Sequence, residues 1–283
     1  MSRRAFLHSC VALAFVAALP APALAAAPSK PARIAVTVRG SGPDVVLVPG
    51  LASGPAVWAS TVAALPGYRY HLVQVAGFDG TPAGANGSGR VAASVADEIA
   101  GYIAARRLGR PAIVGHSMGG SIAMMVAARH PARVGKVMVV DMVPAPSSAF
   151  GVPGRASGPV AKFLGREYAG LERLRRNLGP MLDRFGGPAW LKGRSDPDVV
   201  GRSVEELLAT DLTPELPRIR APLTVVYACP EPLRLSRARM DRLYRQAYAR
   251  RPGTRLVAVE RSGHMVMHDR PAAFRAALKA FLL

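Results

Sequence analysis

The short apolar run Pro111-Ala112-Ile113-Val114-Gly115 passes without a linker into His116-Ser117-Met118-Gly119-Gly120, and then into an apolar stretch ending at Arg129. This junction constrains the fold most. A strand that is apolar on every residue has no wet face, so it must be covered on both sides, the condition of a parallel sheet flanked by helices. The same pattern recurs along the chain. Strands are predicted over 34–38, 45–48, 70–75, 111–115, 137–140, 223–227 and 255–259, with helices between them over 55–65, 91–108, 121–129, 236–249 and 271–282. Val91, Val95, Ile99 and Ile103 recur at helical spacing in the second of these. Such alternation predicts an α/β fold: a mostly parallel, twisted central sheet with helices on both faces.

The alternation stops between Pro144 and about Pro217. That block is Arg-rich and helical in pattern, with Leu171, Leu174, Leu178 and Leu182 at roughly helical spacing. It reads as an insertion on top of the sheet. The expected organisation is a core over 32–143 and 219–283 with a helical cap over 144–218.

Ahead of the core, Ser2-Arg3-Arg4-Ala5-Phe6-Leu7 has a twin-arginine pattern, followed by an apolar run from Val11 to Leu19 and by Ala23-Leu24-Ala25. Residues 1–25 are therefore expected to be an export signal, cleaved to leave a periplasmic or secreted protein with no transmembrane span. Cleavage would leave Cys229 as the one cysteine, so no intramolecular disulfide is expected. The formal net charge is +19. The Arg residues are scattered and no basic run is interleaved with aromatics, which argues against specific nucleic-acid binding but leaves a weak attraction to anionic envelope surfaces.

Gly115-His116-Ser117-Met118-Gly119 is a G-x-S-x-G sequence set between a predicted strand and a predicted helix. A sharp strand-to-helix turn exposes the Ser hydroxyl, and the backbone N–H of Met118 at the helix start can face a developing oxyanion. A Ser hydroxyl needs a base. His264 follows the strand ending at Val259 through Arg261-Ser262-Gly263, in a loop at the carboxyl edge of the sheet, where open α/β sheets assemble their sites. His268 is its rival, placed at the Asp269-Arg270-Pro271 turn, while His116 is expected to pack under the elbow.

From about Ile34 to Leu283 the chain resembles the α/β-hydrolase fold family. The resemblance rests on Pro49-Gly50-Leu51, Gly77-Phe78-Asp79-Gly80, Gly115-His116-Ser117-Met118-Gly119-Gly120, and Ser262-Gly263-His264 before Asp269-Arg270-Pro271. It implies a serine hydrolase with a helical cap inserted after the sixth strand and a second oxyanion donor at the backbone N–H of Leu51. The sequence carries no dinucleotide fingerprint and no cluster of Cys, His or carboxylates at metal-ligand spacing, so no cofactor or metal is expected. Pro49 stands where the family often has His, which leaves a backbone donor unaffected.

Two residues are candidates for the triad acid. Family members most often place it after the strand following the cap, where Glu231 lies between two prolines. A minority place it after the strand preceding the cap, where Asp141 ends Val137-Met138-Val139-Val140. Asp141 is preferred, Glu231 is the alternative, and Asp211 and Asp241 fit less well.

A Ser nucleophile with a His base supports acyl transfer on a small ester-type substrate, with lactone and thioester open. Dehalogenases and epoxide hydrolases of this fold use Asp at the nucleophile, so Ser117 argues against both. A ligand-binding protein on a hydrolase scaffold and a cofactor-free perhydrolase stand as alternatives. The cap carries Phe150, Phe163, Leu164, Tyr168, Phe185 and Trp190, expected to roof the pocket and, in the main, to glue the cap to the sheet.

Overall fold

The computed structural model describes residues 32–150, 158–185, 193–230 and 237–283. The expected signal over 1–25, Trp190 and the alternative acid Glu231 lie outside the described residues, as do the side chains of Phe150 and Phe185. Among the described residues, seven strands form one sheet in the order β1-β3-β2-β4-β5-β6-β7. They are β1 (Ile34–Arg39), β2 (Asp44–Val48), β3 (Arg69–Val75), β4 (Ala112–His116), β5 (Lys136–Val140), β6 (Leu223–Cys229) and β7 (Arg255–Glu260). β1 is antiparallel to β3, and every other pairing is parallel. The mostly parallel α/β sheet read from the sequence is therefore present.

Side-chain alternation along the strands sends residues to two cores. On one face, Val46, Val73, Ile113, Val137, Val139 and Val225 pack with helices α2 (Ala92–Ala105), α3 (Met118–Arg129) and α6 (Arg237–Ala247). On the other, Val45, Leu47, Val114, Met138, Val140 and Val226 pack against Trp58, α7 (Val266–Asp269) and α8 (Pro271–Leu282), with Val62 of α1 (Ala59–Ala64) at the margin. Both faces being covered is why the strands carry no alternation in the sequence. α2 stops earlier than its pattern suggests. Arg107 takes a left-handed φ of 52° and Leu108 N–H closes on the Ile103 carbonyl at 3.0 Å, a helix stop usually made with glycine.

Between β5 and β6 the chain leaves the sheet and forms α4 (Gly158–Phe185) and α5 (Pro197–Ala209). The insertion follows the fifth strand in chain order, not the sixth. Between β3 and β4 the chain forms the Gly-rich loop, one 3-10 turn and α2, so no further strand precedes the insertion among the described residues.

Several bonds tie the inserted residues down. Asp79 N–H donates to Ser195 Oγ at 3.0 Å, Ser195 Oγ donates to the Ala52 carbonyl at 3.2 Å, and Asp196 N–H donates to the Gly77 carbonyl at 2.6 Å. Glu206 of α5 accepts from the N–H groups of Val91, Ala92 and Ala93 at 2.6, 2.8 and 2.9 Å. A carboxylate on three otherwise unpaired amides at a helix N-terminus satisfies those donors and opposes the positive end of the helix dipole. α4 and α5 cross closely, since a Cβ on Gly165 would lie 2.6 Å from the Gly201 carbonyl oxygen.

The packing of α4 differs from expectation. Among the described residues its buried positions are Ala161, Gly165, Ala169 and Glu172, all on one face; the first three meet α5, and Glu172 accepts from Ser195 N–H at 3.0 Å. Phe163 and Tyr168, expected to hold the cap to the sheet, are exposed, as are Leu171 and Leu174. Small residues make the closer helix crossing, so the large apolar ones are left outside.

Because Glu206 of the insertion caps a helix of the core, Glu206→Ala is expected to lower the stability of the whole protein by about 1–3 kcal/mol. Glu205→Ala should change it by less than about 0.5 kcal/mol. Urea denaturation of the two variants beside the wild type checks this.

Candidate active site

Ser117 joins the end of β4 to the start of α3 with φ 52° and ψ −123°. This is a strained conformation for a residue with a side chain. The turn is tight enough that a Cβ on Gly115 would fall 2.0 Å from the Gly119 carbonyl oxygen, so the first glycine of G-x-S-x-G is a steric requirement. Gly50 closes the site from the end of β2, where a Cβ would lie 2.9 Å from His116 Nδ1 and 3.2 Å from Ser117 Cβ. Its backbone thus rests against the elbow, and Leu51 follows directly. Among the described residues no hydrogen bond engages the N–H of Leu51 or of Met118, the two expected oxyanion donors.

The parallel ladder runs one residue past the strand ends and so fixes the neighbours. Ser117 N–H donates to the Val140 carbonyl at 2.9 Å, and Asp141 N–H donates to the Val226 carbonyl at 2.8 Å. Asp141, with φ 51°, is a second residue in the strained left-handed region. Its carboxylate is fully engaged. Oδ1 accepts from Ala228 N–H and from the Tyr244 hydroxyl, both at 2.9 Å, and Oδ2 is 2.8 Å from His264 Nδ1.

His264 stands two strands away in the sheet order, about 9–10 Å at ordinary strand spacing. It reaches Asp141 because the loop after β7 leans back over β6. Ser262 N–H donates to the Cys229 carbonyl at 3.4 Å, and the His264 carbonyl accepts from His116 Nε2 at 2.8 Å. With Nδ1 donating to the carboxylate, Nε2 of His264 carries the lone pair, the form a general base needs. The His264 side chain is 54% exposed and Asp141 12%, so the pair has a wet end and a dry end. No hydrogen bond joins Ser117 Oγ to His264 among the described residues; the ring of His116, adjacent in sequence to Ser117, is 4.7 Å from that of His264.

The rivals from the sequence are placed elsewhere. His268 is exposed on α7. Asp241 accepts from the Tyr227 hydroxyl at 2.5 Å and pairs with Arg237, and Asp211 accepts from Thr213 N–H at 2.8 Å. His71 is buried between Asp44 and the Tyr102 hydroxyl, a structural setting. A cavity of about 540 Å³ lies apart from this cluster, beside α2, α3 and α5. Its charged lining is engaged in part by the structure itself, with Arg129 on Glu215 and Glu206 on the α2 amides.

Sequence reasoning missed Tyr244. Met240 and Tyr244 on α6 and Tyr248 just after it recur every fourth residue and read simply as a buried stripe. Burial, and next the negative charge of Asp141, push the Tyr244 hydroxyl well above its ordinary pKa, so it remains a donor. The Tyr227 ring stacks on it at 4.3 Å.

His116 does pack under the elbow. Burial, and then the charge of nearby His264, push its pKa down from 6.5 to about 4. Its Nδ1 is buried without a partner, which suits a neutral ring whose single N–H is on Nε2. Between about pH 4 and 6.5 the unfolded chain takes up a proton here that the folded chain refuses, so stability is present at neutral pH and is lost on acidification. Between pH 7 and pH 5 the loss from this group is about 2 kcal/mol. His116→Gln should shrink the pH 7-to-5 difference in unfolding free energy by about that amount; denaturant titrations at the two pH values check it.

Among known proteins, the sequence matches the Alpha/beta hydrolase family over residues 45–277. A similar curated protein, the pimeloyl-[acyl-carrier protein] methyl ester esterase of Aeromonas hydrophila, is 26% identical over 88% of this chain and 99% of its own length. The enol-lactonase of Burkholderia xenovorans has a similar structure, with TM-score 0.67 and 21% identity over 88% of this chain and 96% of that one. A thermophilic esterase from Thermogutta terrifontis also has a TM-score of 0.67, at 20% identity over 88% of this chain and 92% of that one. With the match spanning most of its length, and with its own sheet and elbow, this chain belongs to the alpha/beta hydrolase family.

Proposed function

We propose that the protein is a serine hydrolase that cleaves a small carboxylic ester by acyl transfer. Ser117 Oγ attacks the ester carbonyl while His264 Nε2 takes its proton. The negative charge on the former carbonyl oxygen is met by the N–H groups of Leu51 and Met118. The intermediate collapses to an acyl-Ser117 ester, and the leaving alcohol departs with the proton from His264. Water, deprotonated by the same imidazole, then releases the acid and restores Ser117. Asp141 holds the imidazole in the tautomer this requires and supports it when charged. Tyr244 and Ala228 act on Asp141 as positioning groups.

The observation that carries this reading is the 2.8 Å contact between His264 Nδ1 and Asp141 Oδ2 beside a strained Ser117 elbow. Ester cleavage is also what is named for a relative matched over most of this chain, a methyl ester esterase.

Ser117→Ala is expected to abolish both fluorophosphonate labelling and hydrolysis of p-nitrophenyl acetate, by about 10⁴-fold or more, with unchanged circular dichroism. Retained turnover in that variant would remove Ser117 from the mechanism. Asp141→Asn should lower kcat by about 10³–10⁴-fold, since it supports the wrong tautomer. Tyr244→Phe, which deletes one of two donors to Oδ1, should lower it only about tenfold. Equal losses in the two variants would contradict the positioning role.

A further inference from the structure

The insertion helix α4 faces outward with residues that a water-facing helix does not ordinarily carry. Among the described residues, seven large hydrophobic side chains are exposed, and five of them, Val160, Phe163, Tyr168, Leu171 and Leu174, belong to this one helix. Phe163 is 55% exposed and Leu174 55%. At 100° per residue, Val160, Phe163, Leu171 and Leu174 fall on one stripe, opposite the Ala161–Gly165–Ala169 face that meets α5. At 1.5 Å per residue the stripe runs for about 20 Å. Lys162, Arg166 and Arg173 are exposed along one margin, Arg173 in an ion pair with Asp198. Glu167 is the one carboxylate on the stripe among the described residues.

We propose that this outer face of α4 docks the protein on an anionic lipid surface. An apolar ridge edged with cations is the arrangement of a helix that lies in the plane of a membrane interface, with its large side chains among the acyl chains and its basic margin at the headgroups. The ridge is convex. A soluble acidic protein would have to offer a groove about 20 Å long to cover it, whereas a lipid surface deforms around it. A second copy of the chain is disfavoured by charge, since each carries a formal +19. No helix among the described residues is long and apolar enough to cross a membrane, so the contact is one of lying on the surface. The inner side of the same helix pair reaches the candidate active site, because Leu51 packs with Ala161, Val204 and Leu208. Docking therefore sets the roof of the site against the lipid.

The test uses the full chain carrying Phe163→Trp. Vesicles are made of equal parts phosphatidylglycerol and phosphatidylcholine, the latter brominated on its acyl chains. Quenching of the new tryptophan, measured against the parent protein in the same vesicles, reports contact at α4 whatever the rest of the chain does. At least a twofold loss of the added fluorescence is expected. It should fall away in vesicles of brominated phosphatidylcholine alone, on adding Leu171→Ser with Leu174→Ser, and on adding Lys162→Glu with Arg166→Glu. Hydrolysis of a soluble ester should stay within twofold of wild type in all these variants. No added quenching, or quenching indifferent to the two serine substitutions, would overturn the proposal. So would a dimer in sedimentation velocity that dissociates in the serine variant without any quenching in the parent Trp protein. Inactivity toward the soluble ester with quenching intact would count against the triad assignment alone.

Discussion

In this fold, hydrogen bonds of the parallel sheet do not stop where the strands do. Ser117 N–H on the Val140 carbonyl and Asp141 N–H on the Val226 carbonyl extend the ladder to the two residues proposed as nucleophile and acid. A backbone bond of this kind sets the position of a Cα far more tightly than a side-chain contact could, because it belongs to a cooperative array. The elbow and the acid are thus placed by the same forces that pair β4 with β5 and β5 with β6. Only His264 depends on a loop, and that loop is held at two points, by Ser262 on Cys229 and by the His264 carbonyl on His116. The strain at Ser117 and Asp141, both at positive φ, is sustained because the ladder determines them from both sides.

Much of this could be read from the residues. Uniformly apolar runs such as Val137–Val140 announced strands covered on both faces, and Gly-x-Ser-x-Gly between such a run and an apolar helix announced the turn. What the sequence left open concerns contacts between distant elements. Asp141 and Glu231 follow neighbouring strands, and no local pattern says toward which of them the loop of His264 leans. Tyr244 gave no signal, because a tyrosine at every-fourth spacing with Met240 and Tyr248 looks the same whether its hydroxyl meets solvent or a carboxylate. The insertion misled in another way. Its leucines recur at helical spacing, but periodicity shows only that a helix has a stripe, and here α5 meets the small-residue stripe and leaves Leu171 and Leu174 outside.

The acid's environment also bears on how the family pattern is varied. With the carboxylate at the end of β5, its second oxygen is met by the backbone N–H of Ala228 on the next strand and by a tyrosine from the helix beyond it. A carboxylate buried to this extent needs all of its lone pairs addressed. α6 provides the donor, and its packing against β6 through Tyr227 and Tyr244 fixes where that donor stands.

Asp141 is also the last residue before the chain departs for the insertion, and two of the three residues after it are held by hydrogen bonds. Tyr248, one turn beyond Tyr244 and just past the end of α6, donates to the Met142 carbonyl at 2.7 Å, and the Pro144 carbonyl accepts from Leu212 N–H at 2.9 Å. Tyr244 on α6 and Tyr248 just after it therefore hold Asp141 and Met142 side by side. Seen mechanically, the end of α6 is an abutment: a push on the insertion that travels back along the chain meets Tyr248 at Met142 before it meets the carboxylate.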